Sequence, residues 1–171
     1  MKTILYMAMS VDGFIAKAND DTSFVSDVEW KSFRAMVQRT KNLIVGARTY
    51  AIMKKGNEFE GLEDIRVLVV AADSSSGLLN EKHSFAPSPK EALAALEKEG
   101  FQKALVAGGG TLNGSFMQEG LLDELFLDIE PIALGAGIQL FGGKELDAKL
   151  KLLEIKKLSK NEVQLHYKIE K

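Results

Sequence analysis

The sequence predicts a three-layer α/β protein. A mostly parallel β-sheet forms the middle layer, helices cover both of its faces, and the chain ends in an antiparallel hairpin. Two observations support this prediction. Short, continuously apolar runs alternate with segments that carry helix start signals, which is the pattern of strands buried on both faces. Near the C-terminus the apolar residues instead alternate with polar ones, which indicates half-buried antiparallel strands.

Length and composition describe one ordinary globular domain. The chain has 171 residues, of which 46% are apolar and 27% charged, and we expect a single domain over residues 1–171. The formal net charge is −2, so we expect neither nucleic acid nor an acidic membrane as the main partner. The sequence contains no cysteine, which excludes disulfides, thiol catalysis and thiolate metal ligands.

No stretch of the sequence has the features of a targeting, membrane-spanning or metal-binding element. The N-terminal apolar run meets polar Ser10 and Asp12 too soon for a signal sequence. No apolar run approaches the roughly 18 residues of a membrane span. His83 and His166 lack the spacing of a metal site, and we expect both on the surface. We therefore predict a cytoplasmic protein without a membrane partner or a bound metal.

The predicted parallel strands are short apolar runs. They cover residues 3–9, 42–45, 67–71 and 103–107. A polar turn that begins at Asp73 closes the third run, and residues 14–25 are predicted to be a loop. Residues 124–130 form a further strand, residues 138–141 a short one, and residues 153–169 the C-terminal hairpin.

Two helices have clear start signals. Ser26 and Glu29 have the spacing of a capping box, and Trp30 and Phe33 begin an apolar stripe behind them. In the second helix, Ser88 is the N-cap and Pro89 the first helical residue, and Gly100 ends it.

Two further helices begin at glycines that directly follow a strand. The stronger example is the run Gly108-Gly109-Gly110-Thr111 after residues 103–107, and Gly46 and Thr49 repeat the theme after residues 42–45. Backbone N–H groups at such a joint can approach an anion closely, and the helix start adds a positive dipole end. The spacing matches neither a dinucleotide fingerprint nor a P-loop, so a tight turn without a ligand is an equal alternative.

Asp27 is the candidate site carboxylate. It lies on the first helical turn, three residues before Trp30, and is expected on the same face as the apolar stripe. One interpretation is a favourable charge at a helix N-terminus, worth about 0.3–1 kcal/mol. The other is a carboxylate that points into a pocket beside the indole, where the helix dipole would lower its pKa and burial would raise it. The sequence favours the first interpretation, because acidic first turns are common.

Taken together, six short stretches resemble the dihydrofolate reductase superfamily, and in particular the reductase domain of bacterial riboflavin biosynthesis. The resemblance covers nearly the full length. The stretches are residues 9–16 (MSVDGFIA), 27–30 (DVEW), 46–50 (GARTY), 107–112 (AGGGTL), 120–125 (GLLDEL) and 131–137 (PIALGAG). The last two favour the riboflavin-type branch.

The resemblance implies hydride transfer from NADPH to a C=N-type bond of a heterocyclic or ribosylaminopyrimidine substrate. It implies that Asp27 is the catalytic acid, and that Ser10, Asp12 and Trp30 face the substrate. The residues that it assigns to the cofactor are Ala8, Ile15, Gly46, Arg48, Thr49, Gly108, Gly109, Gly110, Thr111 and Leu112. The alternatives are a dihydrofolate reductase proper and a nucleotide-binding module without turnover.

Departures from the family pattern leave the cofactor and the substrate phosphate open. The arginine that usually pairs with the 2′-phosphate of NADPH is Ala47 here, with Arg48 one place along, and Asp73 would suit a free ribose diol. NADH is therefore an alternative to NADPH. Arg34 is a candidate for a substrate phosphate, although a solvated surface arginine is the more common case. Relatives in this branch are commonly homodimers, and we expect one here.

Overall fold

The computed structural model describes residues 1–72 and 79–171, so the predicted turn at Asp73 lies outside the described part. Eight strands of the described residues form one sheet. They are β1 (Lys2–Ser10), β3 (Asn42–Gly46), β4 (Arg66–Val70), β5 (His83–Ala86), β6 (Lys103–Val106), β7 (Glu124–Glu130), β9 (Leu150–Lys157) and β10 (Val163–Ile169). Two short strands, β2 (Phe14–Ala16) and β8 (Ile138–Gln139), pair with each other in a second, antiparallel sheet.

The main sheet is parallel except at one end. Its strand order is β5-β4-β3-β6-β1-β7-β10-β9, and every neighbouring pair from β5 to β7 is parallel. Strand β10 is antiparallel to both β7 and β9, which confirms the predicted C-terminal hairpin. Because β3, β6 and β1 are parallel neighbours, the chain segments that follow them lie close together, at the end of the sheet where the strands have their carboxyl ends.

In the described part of the chain, four helices cover the two faces of the sheet, as predicted. They are α1 (Asp27–Thr40), α2 (Ala47–Lys55), α3 (Pro89–Lys98) and α4 (Gly110–Gln118). Phe33 of α1 and Met53 of α2 belong to a buried cluster on one face of the sheet, whereas Leu96 of α3 and Phe116 of α4 belong to a separate cluster on the other. Burying a side chain of this size stabilises the fold by about 1.5–3 kcal/mol. The three-layer α/β prediction is confirmed.

The helix starts divide into two kinds. The Oγ of Ser26 accepts a hydrogen bond from the N–H of Glu29 at 3.0 Å, and the Oγ of Ser88 accepts one from the N–H of Glu91 at 3.3 Å, so both predicted serine caps are confirmed. The other two helices begin after glycines at their N-cap positions and have no side-chain cap.

The sequence-based assignment missed strands β2 and β5. Strand β2 has only three residues and one partner, too few for a visible alternation. The prediction that His83 lies on the surface is wrong: its side chain is buried in β5, 2.9 Å from the hydroxyl of Tyr50 and against the ring of Phe59. Burial lowers the pKa of His83. His166 is only partly exposed, and its ring stacks on that of Phe126 with 3.9 Å between the ring centroids.

Strand β9 forms the outer edge of the sheet, and all its residues are exposed. Its apolar side chains include Leu152, which is 45% exposed, and Ile155, which is 61% exposed. The adjacent residues of β10, Tyr167 and Leu165, pack against the buried core. The apolar face of the sheet therefore extends beyond the helices that cover it, to the exposed outer strand β9. No helix within residues 1–72 and 79–171 is long and apolar enough to cross a bilayer.

Candidate functional site

A large groove runs along the sheet edge where β3 and β6 end. We call it the glycine groove. Its volume is about 1070 Å³. The backbone N–H of Gly46 donates to the carbonyl of Gly108 at 2.8 Å, so the joint after β3 abuts the joint after β6. The glycines that line the groove are Gly46, Gly109, Gly110, Gly135, Gly137, Gly142 and Gly143.

Close backbone packing explains why this wall is built from glycine. A Cβ on Gly110 would collide with the carbonyl oxygen of Gln139 and would lie 3.0 Å from the backbone N of Gly142. Gly108, below the groove surface, has a φ of +89°, a region that side chains other than glycine rarely adopt. Residues 139–142 can thus pack against the start of α4 without side chains between them.

The groove presents two helix starts that have donors to spare. Helices α2 and α4 lack a side-chain cap, so their first N–H groups remain available to a ligand, and their positive dipole ends favour an anion. The hydroxyls of Thr49 and Thr111 line the same groove. Arg48 is the one basic side chain among the described residues of its wall, and it already donates to Asp20 at 2.8 and 2.5 Å.

A smaller cavity of about 310 Å³ opens beside the groove, and we call it the acid pocket. The two cavities share seven lining residues, which are Met7, Ile15, Thr22, Thr49, Met53, Glu58 and Ala107. A ligand in one cavity can therefore touch a ligand in the other.

Aromatic rings form one wall of the acid pocket. The ring centroids of Trp30 and Phe33 are 5.5 Å apart, and those of Phe33 and Tyr6 are 5.6 Å apart. These rings give a flat ligand an apolar surface on which to stack. Trp30 is the single tryptophan of the sequence, and it lines both this pocket and a surface notch beside it, so its fluorescence reports on these two places.

Glu29 is the buried acid of this pocket, and its position follows from an unusual helix cap. In a capping box the Glu29 side chain would accept from the N–H of Ser26. Here Glu130 of β7 accepts that N–H at 3.0 Å instead. The Glu29 carboxyl lies at the acid pocket, 5% exposed, and no hydrogen-bond donor in the described part of the chain reaches it.

The surroundings of Glu29 favour its protonated form. Burial raises the pKa of Glu29 to about 8, and the neighbouring carboxylates of Asp128, Glu130, Glu162 and Glu58 add to the rise. Few glutamates in proteins keep their proton at neutral pH, and those that do are suited to general acid catalysis.

The acidic side chains behind Glu29 form a buried network of their own. The hydroxyl of Tyr6 donates to Asp128 at 2.5 Å, and the side-chain amide of Gln164 donates to the same carboxylate at 2.7 Å. Burial raises the pKa of Asp128, although both donors oppose the rise. Burial also raises the pKa of Glu130. In the described residues, no group of three or more His, Cys, Asp or Glu side chains has the arrangement of a metal site.

Asp27 lies at the rim of the acid pocket. Its side chain is exposed, although it does line the opening. Asp27 lines this pocket together with Trp30 and Phe33 of the apolar stripe, but the buried position on the first turn belongs to its neighbour Glu29. Trp30, which the resemblance assigns to the substrate, lines the acid pocket, and so do Ala8 and Ile15, which it assigns to the cofactor.

Of the predicted cofactor residues, most lie together on the glycine groove. Gly46, Arg48, Thr49, Gly109, Gly110, Thr111 and Leu112 line it, and Ile15 and Thr49 lie where the groove meets the acid pocket. Gly108 lies beneath them, and its carbonyl supports Gly46.

The structure does not support the predicted substrate contact of Ser10 and Asp12, because neither residue lines the glycine groove or the acid pocket. The hydroxyl of Ser10 donates to Asp12 at 2.6 Å and accepts from the N–H of Phe14 at 3.0 Å. Asp12 in turn accepts from the N–H groups of Leu134 and Gly135, and these bonds together lower its pKa to about 2. The pair holds a turn and a loop in place, which leaves neither side chain free for the substrate contact that we predicted.

Arg34 also lies outside the acid pocket. Its guanidinium is 5.8 Å from the centre of the Trp30 ring, and it donates to the carbonyl of Glu60 at 2.8 Å. It lines a separate surface notch, together with Glu58 and Gly61.

Sequence reasoning missed two of the three acids that line the pocket, Glu29 and Glu58. Glu29 carried a signal, since it occupies the capping-box position next to a predicted aromatic wall, but that position is usually satisfied by the helix itself. Glu58 lies in a turn-rich segment with no periodicity, and the sequence gives no sign that its side chain is half buried against both cavities.

Comparison with known proteins agrees with this architecture. The model of the RibD C-terminal domain matches residues 1–164, which is nearly the whole chain. The chain belongs to the RibD C-terminal domain family. Reductase domains of this family have the dihydrofolate reductase-like fold, so the resemblance noted from the sequence is confirmed.

Individual relatives of this RibD-type chain are distant. It is 31% identical to the uncharacterized protein YwjB of Bacillus subtilis (strain 168), with 97% of each chain covered. A pyrimidine reductase-like protein of Corynebacterium diphtheriae has a TM-score of 0.77 at 14% identity, covering 99% of this chain and 92% of its own. A Thermotoga maritima diaminohydroxyphosphoribosylaminopyrimidine deaminase/5-amino-6-(5-phosphoribosylamino)uracil reductase has a TM-score of 0.77 at 20% identity, and 98% of this chain matches 56% of it. These structures share the fold.

Proposed function

We propose that this protein is a nicotinamide-dependent reductase that reduces a C=N bond in a nitrogen heterocycle. The observation that carries the proposal is the junction of two unlike cavities, in which an uncapped, glycine-lined groove opens into a pocket that holds a protonated acid. The ribosylaminopyrimidine named for the Thermotoga maritima relative is one heterocycle of this class.

The donor set of the glycine groove fits NADPH or NADH. The free N–H groups at the starts of α2 and α4, with the hydroxyls of Thr49 and Thr111, would hold the diphosphate. Ile15 and Ala8 would border the nicotinamide where the groove meets the pocket. When bound, the reduced nicotinamide supplies the hydride.

Glu29 would supply the proton. When a hydride adds to the carbon of a C=N bond, the π electrons move to the nitrogen, which must then be protonated. The Glu29 carboxyl holds a proton at neutral pH and lies inside the pocket, so it can deliver that proton and then recover one from water. Asp27, at the rim, would contact the substrate edge rather than the reacting nitrogen.

The choice between NADPH and NADH depends on the far end of the groove. Arg48 is paired with Asp20, so a 2′-phosphate would have to compete for it. We propose that the protein uses NADPH, and that NADH binds with comparable affinity because Ala47 replaces the usual arginine.

We also propose that the protein is a homodimer that associates through β9. The exposed apolar side chains of this edge strand continue the core face of β10, and an uncovered edge of this kind pairs readily with another chain. A cytoplasmic location stays a prediction.

Two measurements test the reductase proposal. Calorimetric titration with NADPH and NADH should give saturable binding to both. A panel of reducible pterins and aminopyrimidines should then contain at least one compound that oxidises the bound cofactor. The loss of absorbance of the reduced nicotinamide measures this oxidation. Binding without oxidation of any heterocycle would favour a nucleotide-binding module instead.

Light scattering tests the dimer. The wild-type chain should have the mass of two protomers, and Ile155→Lys should shift it toward one protomer, because a charge on the apolar edge has to be desolvated on pairing. Lys157→Glu is the control on the same strand, since it changes charge without removing an apolar side chain. A wild-type monomer would contradict the proposal.

A further inference from the structure

Two glutamates compete for one backbone N–H at the start of α1. Ser26 and Glu29 have the spacing of a capping box, in which each side chain accepts the backbone N–H of the other residue. One half of this box is present, because the N–H of Glu29 donates to the Oγ of Ser26 at 3.0 Å. In the other half, Glu130 accepts the N–H of Ser26 at 3.0 Å. A residue of β7 therefore completes the cap of α1 in place of Glu29.

Burial explains why Glu130 takes this bond. Glu130 is the last residue of β7 and is 2% exposed, so its carboxyl cannot turn to solvent. A buried carboxyl needs hydrogen-bond donors, and the N–H and the hydroxyl of Ser26 supply them. Glu162, in the turn between β9 and β10, is also buried and faces the same carboxyl. The Glu130 side chain thus joins α1 to two other segments of the chain.

The Glu29 side chain has two places available to it. Its backbone is the third residue of α1, so a rotation of the side chain would bring the carboxyl back to the N–H of Ser26. Because that N–H is taken, the carboxyl lies at the acid pocket. The two places favour opposite protonation states. A backbone N–H at a helix start favours the carboxylate, whereas burial in an apolar pocket favours the neutral acid.

We propose that Glu130 is the positioning residue that keeps the Glu29 carboxyl in the acid pocket as a proton donor. It acts by occupying the backbone N–H of Ser26. Glu130 lines neither the glycine groove nor the acid pocket, so it does not touch a ligand in either. The inference rests on the proposed reductase function for the use made of the proton, but the position of the Glu29 side chain can be measured in the protein alone.

An effect of charge alone would rank the neighbours of Glu29 differently. Burial raises the pKa of Glu29 most, and the carboxylate of Asp128 raises it more than that of Glu130. The ionisable groups that face Glu29 from other elements are Asp128 and Glu130 of β7, Glu162 of the β9–β10 turn, Glu58 of the segment after α2, and Tyr6 of β1. If only charge mattered, removal of the Asp128 carboxylate would have a larger effect than removal of Glu130.

Asp128 is therefore the matched control. It is buried on the same strand, two residues before Glu130, and its carboxylate accepts from Tyr6 and Gln164. Asp128→Asn removes the charge and leaves the bond between Glu130 and the N–H of Ser26 in place.

Carbon-13 NMR of labelled glutamate carboxyls tests the proposal without cofactor or substrate. The Glu29 signal is the one that disappears in Glu29→Gln, and in the wild type it should titrate near pH 8. In Glu130→Ala the Ser26 N–H loses its acceptor and draws the Glu29 carboxyl back, so the titration should fall toward the ordinary value of about 4.3. Glu130→Gln should stay within about one pH unit of the wild type, because the amide oxygen accepts the same N–H.

The order of the variants decides between position and charge. Asp128→Asn should lower the titration of Glu29 by about one pH unit at most, well short of the fall in Glu130→Ala. A larger shift in Asp128→Asn than in Glu130→Ala would overturn the proposal. Equal shifts in Glu130→Gln and Glu130→Ala, or an unchanged titration in Glu130→Ala, would overturn it too.

A second variant and a second measurement cover a failure of Glu130→Ala to fold. Glu130→Leu fills a similar volume without offering an acceptor, and it should give the same fall in the titration of Glu29. If neither variant folds, the amide signal of Ser26 is compared between the wild type and Glu29→Gln. The two signals should coincide, because Glu29 does not accept this N–H. A large change would show that Glu29 is the acceptor and would overturn the proposal.

Steady-state kinetics provide a readout that a merely structural role would not move. Glu130→Ala should lower kcat by about 100-fold and abolish its alkaline limb, while the affinity for NADPH stays the same. Glu130→Gln should restore the limb and most of the rate. If no cofactor binds and no heterocycle is reduced, the reductase proposal falls, and the titration of Glu29 still decides this inference. If reduction proceeds and Glu29 keeps its titration in Glu130→Ala, the reductase function holds and this inference is overturned.

Discussion

The glycine groove and the acid pocket share seven residues and yet are built in opposite ways. Backbone N–H groups and the starts of α2 and α4 dominate the groove, whereas carboxylates and aromatic rings dominate the pocket. Backbone donors give an anion site that needs few side chains, and buried side chains give a site whose protonation can change. One end of the sheet therefore carries backbone donors in one cavity and a buried acid with a raised pKa in the next.

The helix caps show the same division. Helices α1 and α3 begin with serines that each accept one N–H of the first turn, and this supports the fold by about 1 kcal/mol each. Helices α2 and α4 forgo that gain, because Gly46 and Gly109 have no side chain with which to cap them. An unsatisfied helix start at a groove is a feature of binding rather than of stability.

The largest expected effect comes from a substitution that damages the glycine groove and leaves the acid pocket intact. Gly109→Asp places a carboxylate beside the hydroxyl of Thr49, because a Cβ there would lie 3.2 Å from its Oγ1. Repulsion of the diphosphate should weaken NADPH by about 100-fold or more in calorimetry. The emission spectrum of Trp30 in the acid pocket should stay that of the wild type, because Gly109 does not line this pocket.

Gly109→Ala is the graded control for that variant. It adds the same Cβ without the charge, so its loss of NADPH affinity should be much smaller. Equal losses in the two variants would mean that shape, and not the accumulation of negative charge, governs the groove. Unchanged NADPH binding in Gly109→Asp would remove the groove from the cofactor site.

The next effect damages the pocket instead. Glu29→Gln removes the proton donor and should lower kcat by about 100-fold, at the low end of the range for general acids, while NADPH affinity stays the same. In the wild type, kcat should fall as the pH rises above about 8, because the Glu29 carboxyl then loses its proton. The variant should lose this alkaline limb.

Asp27→Asn tests the assignment that the family resemblance implies. Because Asp27 is exposed at the rim, its variant should lose less kcat than Glu29→Gln and should keep the alkaline limb. A larger loss for Asp27→Asn, with the limb abolished, would return the catalytic role to Asp27.

A third effect concerns stability and follows from the raised pKa of Glu29. The folded state holds this proton more tightly than the unfolded chain, so the contribution of Glu29 is complete at low pH and is lost as the pH rises toward about 8. The free energy of unfolding should fall with a slope of up to about 1.4 kcal/mol per pH unit from this group. The carboxylates of Asp128, Glu130, Glu162 and Glu58 face Glu29 and raise its pKa further.

Urea unfolding at several pH values measures that slope. Glu29→Gln should flatten the curve between about pH 5 and 8, since glutamine does not titrate. A variant whose stability falls with pH as steeply as the wild type would show that the other buried acids, and not Glu29, cause the dependence.

The smallest effect concerns the distal end of the groove. Ala47→Arg restores the arginine that this branch usually carries, and it should raise the preference for NADPH over NADH by about tenfold. Lys55→Arg, at the far end of the same helix, is the control. An unchanged ratio of the two affinities would place the 2′-phosphate elsewhere.

The fold and the groove could be predicted from the sequence because their signals are local. Ser26 caps a helix with its own neighbour, and Gly109 and Gly46 mark strand–helix joints within a few residues. The pocket could not, because Glu29 turns inward only when Glu130, about 100 residues away in the chain, takes over the N–H of Ser26. Burial of His83 likewise depends on Tyr50 and Phe59, which no periodicity connects to it.

The hydrogen bond between Gly46 and Gly108 fixes more than two loops. It holds the two bare helix starts at the spacing of adjacent strands, about 4.8 Å, so that their fields overlap on one small volume. A single phosphate between the two starts has too few oxygens for all the N–H groups that they offer. Two phosphates joined by a bridging oxygen bring more oxygens and more negative charge to the same place, so this arrangement favours a diphosphate over a single phosphate.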